Sequence, residues 1–178
     1  ATPRPQMTTA ALEDYAGFWK RFAAYILDAI VLWIPSTLVE KMFGADAAKE
    51  AMTLAVSNAA GDMAAIHAAQ VQYWSVIWPA TVISIVIAWM YFALCESSAW
   101  QATVGKLALG IRVTDLQGQR ISFPRALGRY GAKLISALIL LIGLLMVAWT
   151  RRKQGLHDIM VGTLVLNGRA SEFKSSQA

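Results

Sequence analysis

Three polar side chains interrupt the first apolar stretch of the chain at a spacing that would let them act together. Arg21, Tyr25 and Asp28 lie at positions i, i+4 and i+7, which is one face of a helix, with Asp28 about 10 Å further along the axis than Arg21. Ionisable groups at membrane depth are costly and persist where they are paired, hydrated or functional. A desolvated carboxylate can take up a proton. The pattern predicts a proton- or ion-binding site at Asp28, and the alternative is that Asp28 only ties neighbouring helices together.

The segment that carries this face is predicted to cross a membrane. Residues 18–40 and 75–95 are two predominantly apolar runs, and the second contains no charged side chain. Each matches the roughly 20 apolar residues that a spanning helix requires. Hydrophobic residues make up 57% of the 178 residues and charged residues only 15%, unlike the composition of a soluble domain. We therefore predict a mainly α membrane protein with two spanning helices.

A third apolar segment, residues 133–149, either spans the membrane or bends back within it. Basic residues flank this segment on both sides. Because basic residues tend to stay in the cytoplasm, we favour a re-entrant segment broken near Gly143, with both termini cytoplasmic. Between the two spans, residues 44–72 are predicted to form a helical loop outside the bilayer, with a break near Gly61.

Short β-prone runs follow the second span. The runs IRVTD and RISF bracket Gly118, which suits a turn, so residues 107–123 are predicted to form a small β-hairpin at the cytoplasmic interface. A later run, GTLVLN, could instead pair with one of them if both lie on the same face of the membrane, which would give a short sheet.

Composition and spacing argue against several other functions. The net charge of +5 comes from Lys and Arg residues next to apolar segments, not from a basic stripe with interleaved aromatic residues, so we expect no nucleic-acid partner. The single Cys95 and the distant His67 and His157 provide no cluster at metal-ligand spacing. We expect no metal, no cofactor, no catalytic residue and no enzymatic activity.

Three segments together resemble one protein family. They read YAGFWKRFAAYILD, ESSAWQATVGKLALGIRVTDLQGQRISF and RRKQGLHDIMVGTLVL, and they are similar to the RDD family, bacterial integral membrane proteins named for one arginine and two aspartates. The resemblance implies that Arg21 is the arginine, Asp28 the first aspartate and Asp158 the second, with Asp115 as the alternative second aspartate. It also implies a single membrane domain over residues 15–168, between a polar arm (1–14) and a polar tail (169–178). Possible supporting residues are Tyr25, Glu96, Asp115 and His157.

The resemblance implies transport of an ion, a proton or a small polar solute through an intramembrane Asp/Arg site. Two spans and a bent segment cannot enclose an aqueous path, so a transporter would act as an oligomer. The alternative is a non-catalytic accessory or assembly subunit of a larger inner-membrane complex.

Glu96 is expected near Arg21, where it would either pair with it or neutralise surface charge. We expect a multi-pass protein of the bacterial cytoplasmic membrane with a cytoplasmic N-terminus, whose partners are the lipid bilayer and either itself or another integral membrane protein.

Overall fold

The computed structural model describes residues 13–138 and 145–170, with side chains described for all of these except 137 and 138. The described residues form two compact units, one made by Leu32–Ala88 and the other by the residues before and after it. In chain order the elements are α1 (Phe18–Met42), α2 (Ala45–Asn58), α3 (Met63–Ser97), α4 (Val104–Ala108), β1 (Ile111–Asp115), α5 (Phe123–Leu138), a 3-10 turn (Met146–Ala148), α6 (Leu156–Val161) and β2 (Thr163–Asn167).

Helices α1 and α3 are the two that are long and apolar enough to cross a membrane among the described residues. Only 11% of the most apolar stretch of α1 and 17% of that of α3 is buried within the protein. A core helix of a soluble protein would hide most of such a surface, whereas a lipid-facing helix exposes it. The predicted fold class is therefore confirmed: mainly α, with two candidate membrane-spanning helices and a small antiparallel sheet.

Within the unit Leu32–Ala88, α2 and the beginning of α3 occupy the segment predicted as a helical loop, with Gly61 between them. Helix α2 ends at Asn58, and Gly61 adopts a positive φ of 89°. Helix α3 then begins at Met63, earlier than the predicted start near residue 75. The reason is that Asp62 accepts hydrogen bonds from the N–H groups of Ala64 and Ala65 at 2.9 and 3.4 Å, which caps a helix-favouring run that continues unbroken into the span.

The strand that pairs with β1 is not the one that the predicted hairpin requires. Strand β1 pairs with β2 in antiparallel register, with Val113 opposite Val165, so the alternative pairing with GTLVLN is the one formed and the hairpin over 107–123 is wrong. The chain does turn at Gly118, where the Asp115 carboxylate accepts N–H bonds from the residues of the turn. The RISF run then leads into α5 instead of returning along β1, because Ile121 enters the core.

The core of the other unit lies where the two-stranded sheet meets the beginning of α1 and the end of α3. Tyr15, just before α1, forms an isolated bridge with Leu166 of β2, which ties the entry of the first span to the sheet. The predicted break near Gly143 lies outside the described residues. The buried apolar residues of this core are Ala16, Ala24, Ala93, Ile111, Val113, Ile121, Ala126 and Val165.

Candidate functional site

Asp28 is 1% exposed and accepts three hydrogen bonds from two other segments. The Tyr91 hydroxyl donates to Asp28 Oδ1 at 2.8 Å, the Thr103 hydroxyl donates to Oδ2 at 2.5 Å, and the Gly105 N–H donates to Oδ1 at 2.8 Å. These donors give both carboxylate oxygens of Asp28 a hydrogen-bond partner. We call Asp28 with these three donors the Asp28 site.

The donors are themselves fixed by the first turn of α4. Tyr91 Oη accepts the N–H of Val104 at 3.1 Å, and Thr103 Oγ1 accepts the N–H of Lys106 at 3.4 Å. Each hydroxyl therefore turns its proton toward Asp28. The amino-terminal N–H groups of α4 reach the carboxylate either directly or through one hydroxyl, which satisfies groups that a helix leaves unpaired and places a negative charge where the helix dipole favours it.

Gly105 allows α4 to approach α1 this closely. A Cβ at position 105 would lie 2.1 Å from the backbone oxygen of Ala24 and 3.0 Å from Asp28 Cγ. Real Cβ atoms do not approach a backbone oxygen so closely, and this oxygen belongs to a long helix that cannot yield locally. The Gly105 and Ala24 pair therefore sets the position of Asp28 relative to α4.

A second group of charges, the charged cluster, comprises Arg21, Glu96, Lys106, Arg129 and Asp158. Arg129 is its centre, because its Nη2 lies 2.6 Å from Asp158 Oδ1 and its Nη1 lies 2.6 Å from Glu96 Oε2. Arg21 Nη1 pairs with Asp158 Oδ2 at 2.6 Å, and Lys106 Nζ pairs with Glu96. The cluster joins α1, α3, α4, α5 and α6, and none of its side chains is more than 11% exposed.

The electrostatics of the cluster favour ionised carboxylates. Burial alone would raise the pKa of Asp158, but Arg129 and Arg21 outweigh burial and hold that pKa well below its ordinary value. Burial lowers the pKa of His157, the neighbour of Asp158, to about 3, so His157 is neutral at pH 7. Asp158 also accepts the N–H of Gly155 at 3.1 Å, which means that it caps α6 as well as binding the two arginines.

The cluster contains more positive than negative groups. It has three basic side chains and two carboxylates. Burial lowers the pKa of Lys106 below its ordinary value of 10.5, although Glu96 opposes this shift. Burial would also lower the pKa of Arg129, but Glu96 and Asp158 together raise it. Burial therefore weakens the hold on the Lys106 proton, whereas the two carboxylates strengthen the hold on the proton of Arg129.

The structure brings together some of the predicted site residues and separates others. Arg21 and Asp158 form an ion pair. Within the described ranges no ion pair or hydrogen bond joins Arg21 to Asp28, which occupies its own site. Glu96 does not pair with Arg21 but with Arg129 and Lys106, because these two side chains fill the space around its carboxylate.

The remaining supporting residues differ in their relation to the site. His157 lies beside Asp158, with its Nε2 3.4 Å from Asp158 Oδ1. Tyr25 is 51% exposed and stacks on Phe92, so it faces outward and not toward Asp28. Asp115 stabilises the turn after β1 with its carboxylate, which accepts the N–H groups of Gln117 and Gln119, and among the described residues it has no ion pair with the cluster.

Sequence reasoning missed Arg129, Lys106, Thr103 and Tyr91. In the sequence, Arg129 and Lys106 look like part of the general excess of positive charge next to the membrane. The sequence does carry a signal for Arg129, because Arg129, Lys133 and Ser136 repeat the i, i+4, i+7 spacing of the polar residues in the first span. Ser136 is fully buried and Arg129 is 5% exposed. The Lys133 ammonium lies 4.9 Å from the centre of the Tyr25 ring and 4.8 Å from that of Phe92.

Comparison with known proteins agrees with this architecture. The Bacillus subtilis (strain 168) protein described as "Uncharacterized protein YxaI" is 35% identical over 156 residues, which cover 87% of this chain and 99% of YxaI. The "Uncharacterized membrane protein YteJ" of the same organism is 26% identical over 170 residues, which cover 92% of this chain and 87% of YteJ. No solved structure matches the chain. Residues 15–162, which contain Arg21, Asp28 and Asp158, match the RDD family. The chain therefore belongs to the RDD family and is a membrane protein.

Proposed function

We propose that this protein is a membrane transport subunit that moves an ion, a proton or a small polar solute across the bacterial cytoplasmic membrane. The observation that carries the proposal is the buried charged cluster next to the Asp28 site, at the same end of the two candidate spanning helices. Removing an ion from water costs several kcal/mol even in a relaxed protein. Ionisable groups within membrane segments are rare, and they commonly mark ion or solute pathways.

The pairing of the sheet supports a multi-pass arrangement with both ends of the domain on one side. Tyr15 precedes the first span, β1 follows the second, and both lie in register with β2 near the C-terminus. Hydrogen-bonded strands share one side of a bilayer. The chain therefore crosses the bilayer an even number of times between Tyr15 and β1, as two spans do. Between β1 and β2 the number of crossings must also be even. Because only one apolar segment lies there, this favours a segment that re-enters the membrane without crossing it. The exposed basic residues beside the sheet favour a cytoplasmic location for it.

Transport by this chain requires more than one copy. Two spanning helices cannot enclose an aqueous path without leaving polar groups against lipid, and most of the apolar surface of α1 and α3 is exposed. We therefore propose that several copies assemble through these helix surfaces. The proposed partners are lipid and other copies of the chain, and neither catalysis nor a nucleic-acid partner forms part of the proposal.

The contacts support a positioning role for the Asp28 site and a proton- and ion-binding role for the charged cluster. Asp28 positions α4, and α4 carries Lys106 to Glu96. When Lys106 loses its proton, the positive excess of the cluster disappears and Glu96 keeps only one positively charged partner, Arg129. Glu96 can then interact with another cation. Proton release from Lys106 and entry of a charged solute are coupled in this way through a single carboxylate.

Flux through liposomes that contain the purified protein tests the proposal. Gradients of H⁺, Na⁺, K⁺ and Cl⁻ are imposed in turn, and we expect at least one of them to dissipate faster with protein than without it. Lys106→Gln is expected to abolish the flux, and its matched control Lys49→Gln, which removes an exposed lysine of α2, is expected to retain it. Asp28→Asn is compared with Glu40→Gln in the same helix, with thermal unfolding used to verify folding. Equal flux of all four ions in empty liposomes and in liposomes with folded wild type would refute proton and ion transport.

An accessory or assembly subunit is the second candidate, and one observation favours it. All the donors around Asp28 are already paired, so Asp28 has the environment of a structural link between helices. A folded protein without flux that co-purifies in fixed ratio with a different membrane complex would support this function instead. The mass of the protein in detergent separates the two, because the transport proposal requires a homo-oligomer.

A further inference from the structure

A tight basic turn, Thr150–Gln154, follows the third apolar segment and is closed by its own hydrogen bonds. The Thr150 hydroxyl donates to the Gln154 carbonyl at 2.8 Å and accepts the Gln154 N–H at 2.8 Å. The Lys153 N–H donates to the Thr150 carbonyl at 3.0 Å, and Lys153 adopts a positive φ of 47°. Arg151 and Arg152 therefore occupy the two corner positions of a closed turn, and both are exposed.

The basic turn is attached beside the point where the first span begins. Lys153 Nζ donates to the Tyr15 carbonyl at 3.2 Å, and the Gln154 side chain donates to the Thr163 carbonyl of β2 at 2.9 Å. Tyr15 lies three residues before the start of α1. The turn therefore lies at the level where a membrane-inserted α1 meets the headgroups. Trp149, immediately before the turn, is 64% exposed, and Trp19 at the start of α1 is 76% exposed, as is typical of interfacial tryptophans.

The guanidinium groups of Arg151 and Arg152 have no ion-pair partner among residues 13–138 and 145–170. A guanidinium presents a planar set of donors that matches the oxygens of a phosphate. We propose that the basic turn binds the headgroup phosphate of an anionic phospholipid, with Arg151 and Arg152 as the phosphate ligands and Trp149 against the adjacent acyl chain. The exposed tryptophan and the neighbouring span select a lipid over free phosphate, which offers no apolar part. The proposal is independent of transport and requires only membrane insertion.

Lipid retention by the full chain tests this site. The protein is purified in neutral detergent, titrated with phosphatidylglycerol or phosphatidylcholine, and the bound lipids are counted by native mass spectrometry. We expect preferential binding of phosphatidylglycerol. The double variant Arg151→Gln/Arg152→Gln should weaken it about 10-fold or more, because each basic group near an anionic headgroup contributes appreciably. The matched control Lys41→Gln/Lys49→Gln removes the same charge from the other unit and should bind like wild type.

A second variant separates a positioned site from general charge attraction. Thr150→Val removes both hydrogen bonds of the threonine side chain and leaves every charge in place, so we expect about 3-fold weaker phosphatidylglycerol binding. Equal loss of lipid in the control double variant and in the arginine double variant would overturn the assignment to the basic turn. Wild-type affinity in Thr150→Val would overturn the role of turn geometry. Because flux does not enter this assay, its failure leaves the transport proposal to be decided separately.

Discussion

Replacement of Gly105 by alanine tests the central contact between α1 and α4. The new methyl group would start 2.1 Å from the Ala24 carbonyl oxygen, whereas ordinary contact begins at 3.4 Å, so the short helix must move away by about 1.3 Å. That movement lengthens the 2.8 Å bond between the Gly105 N–H and Asp28 beyond hydrogen-bonding range. A hydrogen bond to a charged group contributes about 1.5–3 kcal/mol, and overpacking adds about 1–3 kcal/mol.

The higher helix propensity of alanine offsets at most about 1 kcal/mol of this loss. We therefore expect Gly105→Ala to lower the free energy of unfolding by about 3 kcal/mol, which corresponds to a fall in Tm of roughly 6–12 °C for a chain of this size. Thermal unfolding in a mild detergent, followed by intrinsic fluorescence, measures the change.

Gly128→Ala is the matched control, because it places the same methyl group in another helix, where the nearest atom lies at 3.8 Å. This variant should unfold at or slightly above the wild-type temperature, since glycine is unfavourable in a helix interior. If Gly105→Ala and Gly128→Ala both unfold within about 1 °C of wild type, α4 does not pack on α1 as described and the account of the Asp28 site fails.

Two further predictions concern the charged cluster and its neighbour His157. Arg129→Met removes the shared partner of Asp158 and Glu96 and should destabilise the protein by about 3–5 kcal/mol, whereas Arg125→Met, on the exposed first turn of the same helix, should change Tm little; similar Tm values for the two variants would contradict the central role of Arg129. The pKa of His157 is lowered from 6.5 to about 3 by burial, so between these pH values the unfolded chain binds a proton that the folded protein does not. Stability from this source is complete above pH 6.5 and is lost as the pH falls, by about 2 kcal/mol at pH 5. In a pH series of thermal unfolding His157→Gln should flatten this decline, and parallel curves for variant and wild type would contradict it.

Local patterns were sufficient to predict the helices and the first members of the site. The lengths of the two apolar runs predict α1 and α3, and the glycine at position 61 predicts the break before α3, because these features depend on residues close together in the chain. Arg21 and Asp28 stand out for the same reason, as charges within an apolar run. The prediction of two candidate spanning helices and of a small sheet is confirmed on this basis.

The remaining contacts depend on residues that are distant in sequence, and no local pattern specifies them. A short β-prone run carries no information about its partner, so β1 could not be assigned to β2, which follows more than 45 residues later. Lys106 and Arg129 look like ordinary juxtamembrane basic residues until α4 and α5 pack against Glu96. The partners of Asp28 are two side-chain hydroxyls and one backbone N–H. Groups of these kinds occur throughout the sequence, so residue type does not reveal which of them bind Asp28.

The separation of Asp28 from its donors has a consequence for biosynthesis. Tyr91, Thr103 and Gly105 follow Asp28 by 63, 75 and 77 residues. At about 5–20 residues per second, the ribosome needs roughly 4–15 s after Asp28 to produce the last of them. During that interval Asp28 in the nascent first span lacks its native hydrogen-bond donors, so water or polar groups of the translocon must solvate its carboxyl group until α4 is made.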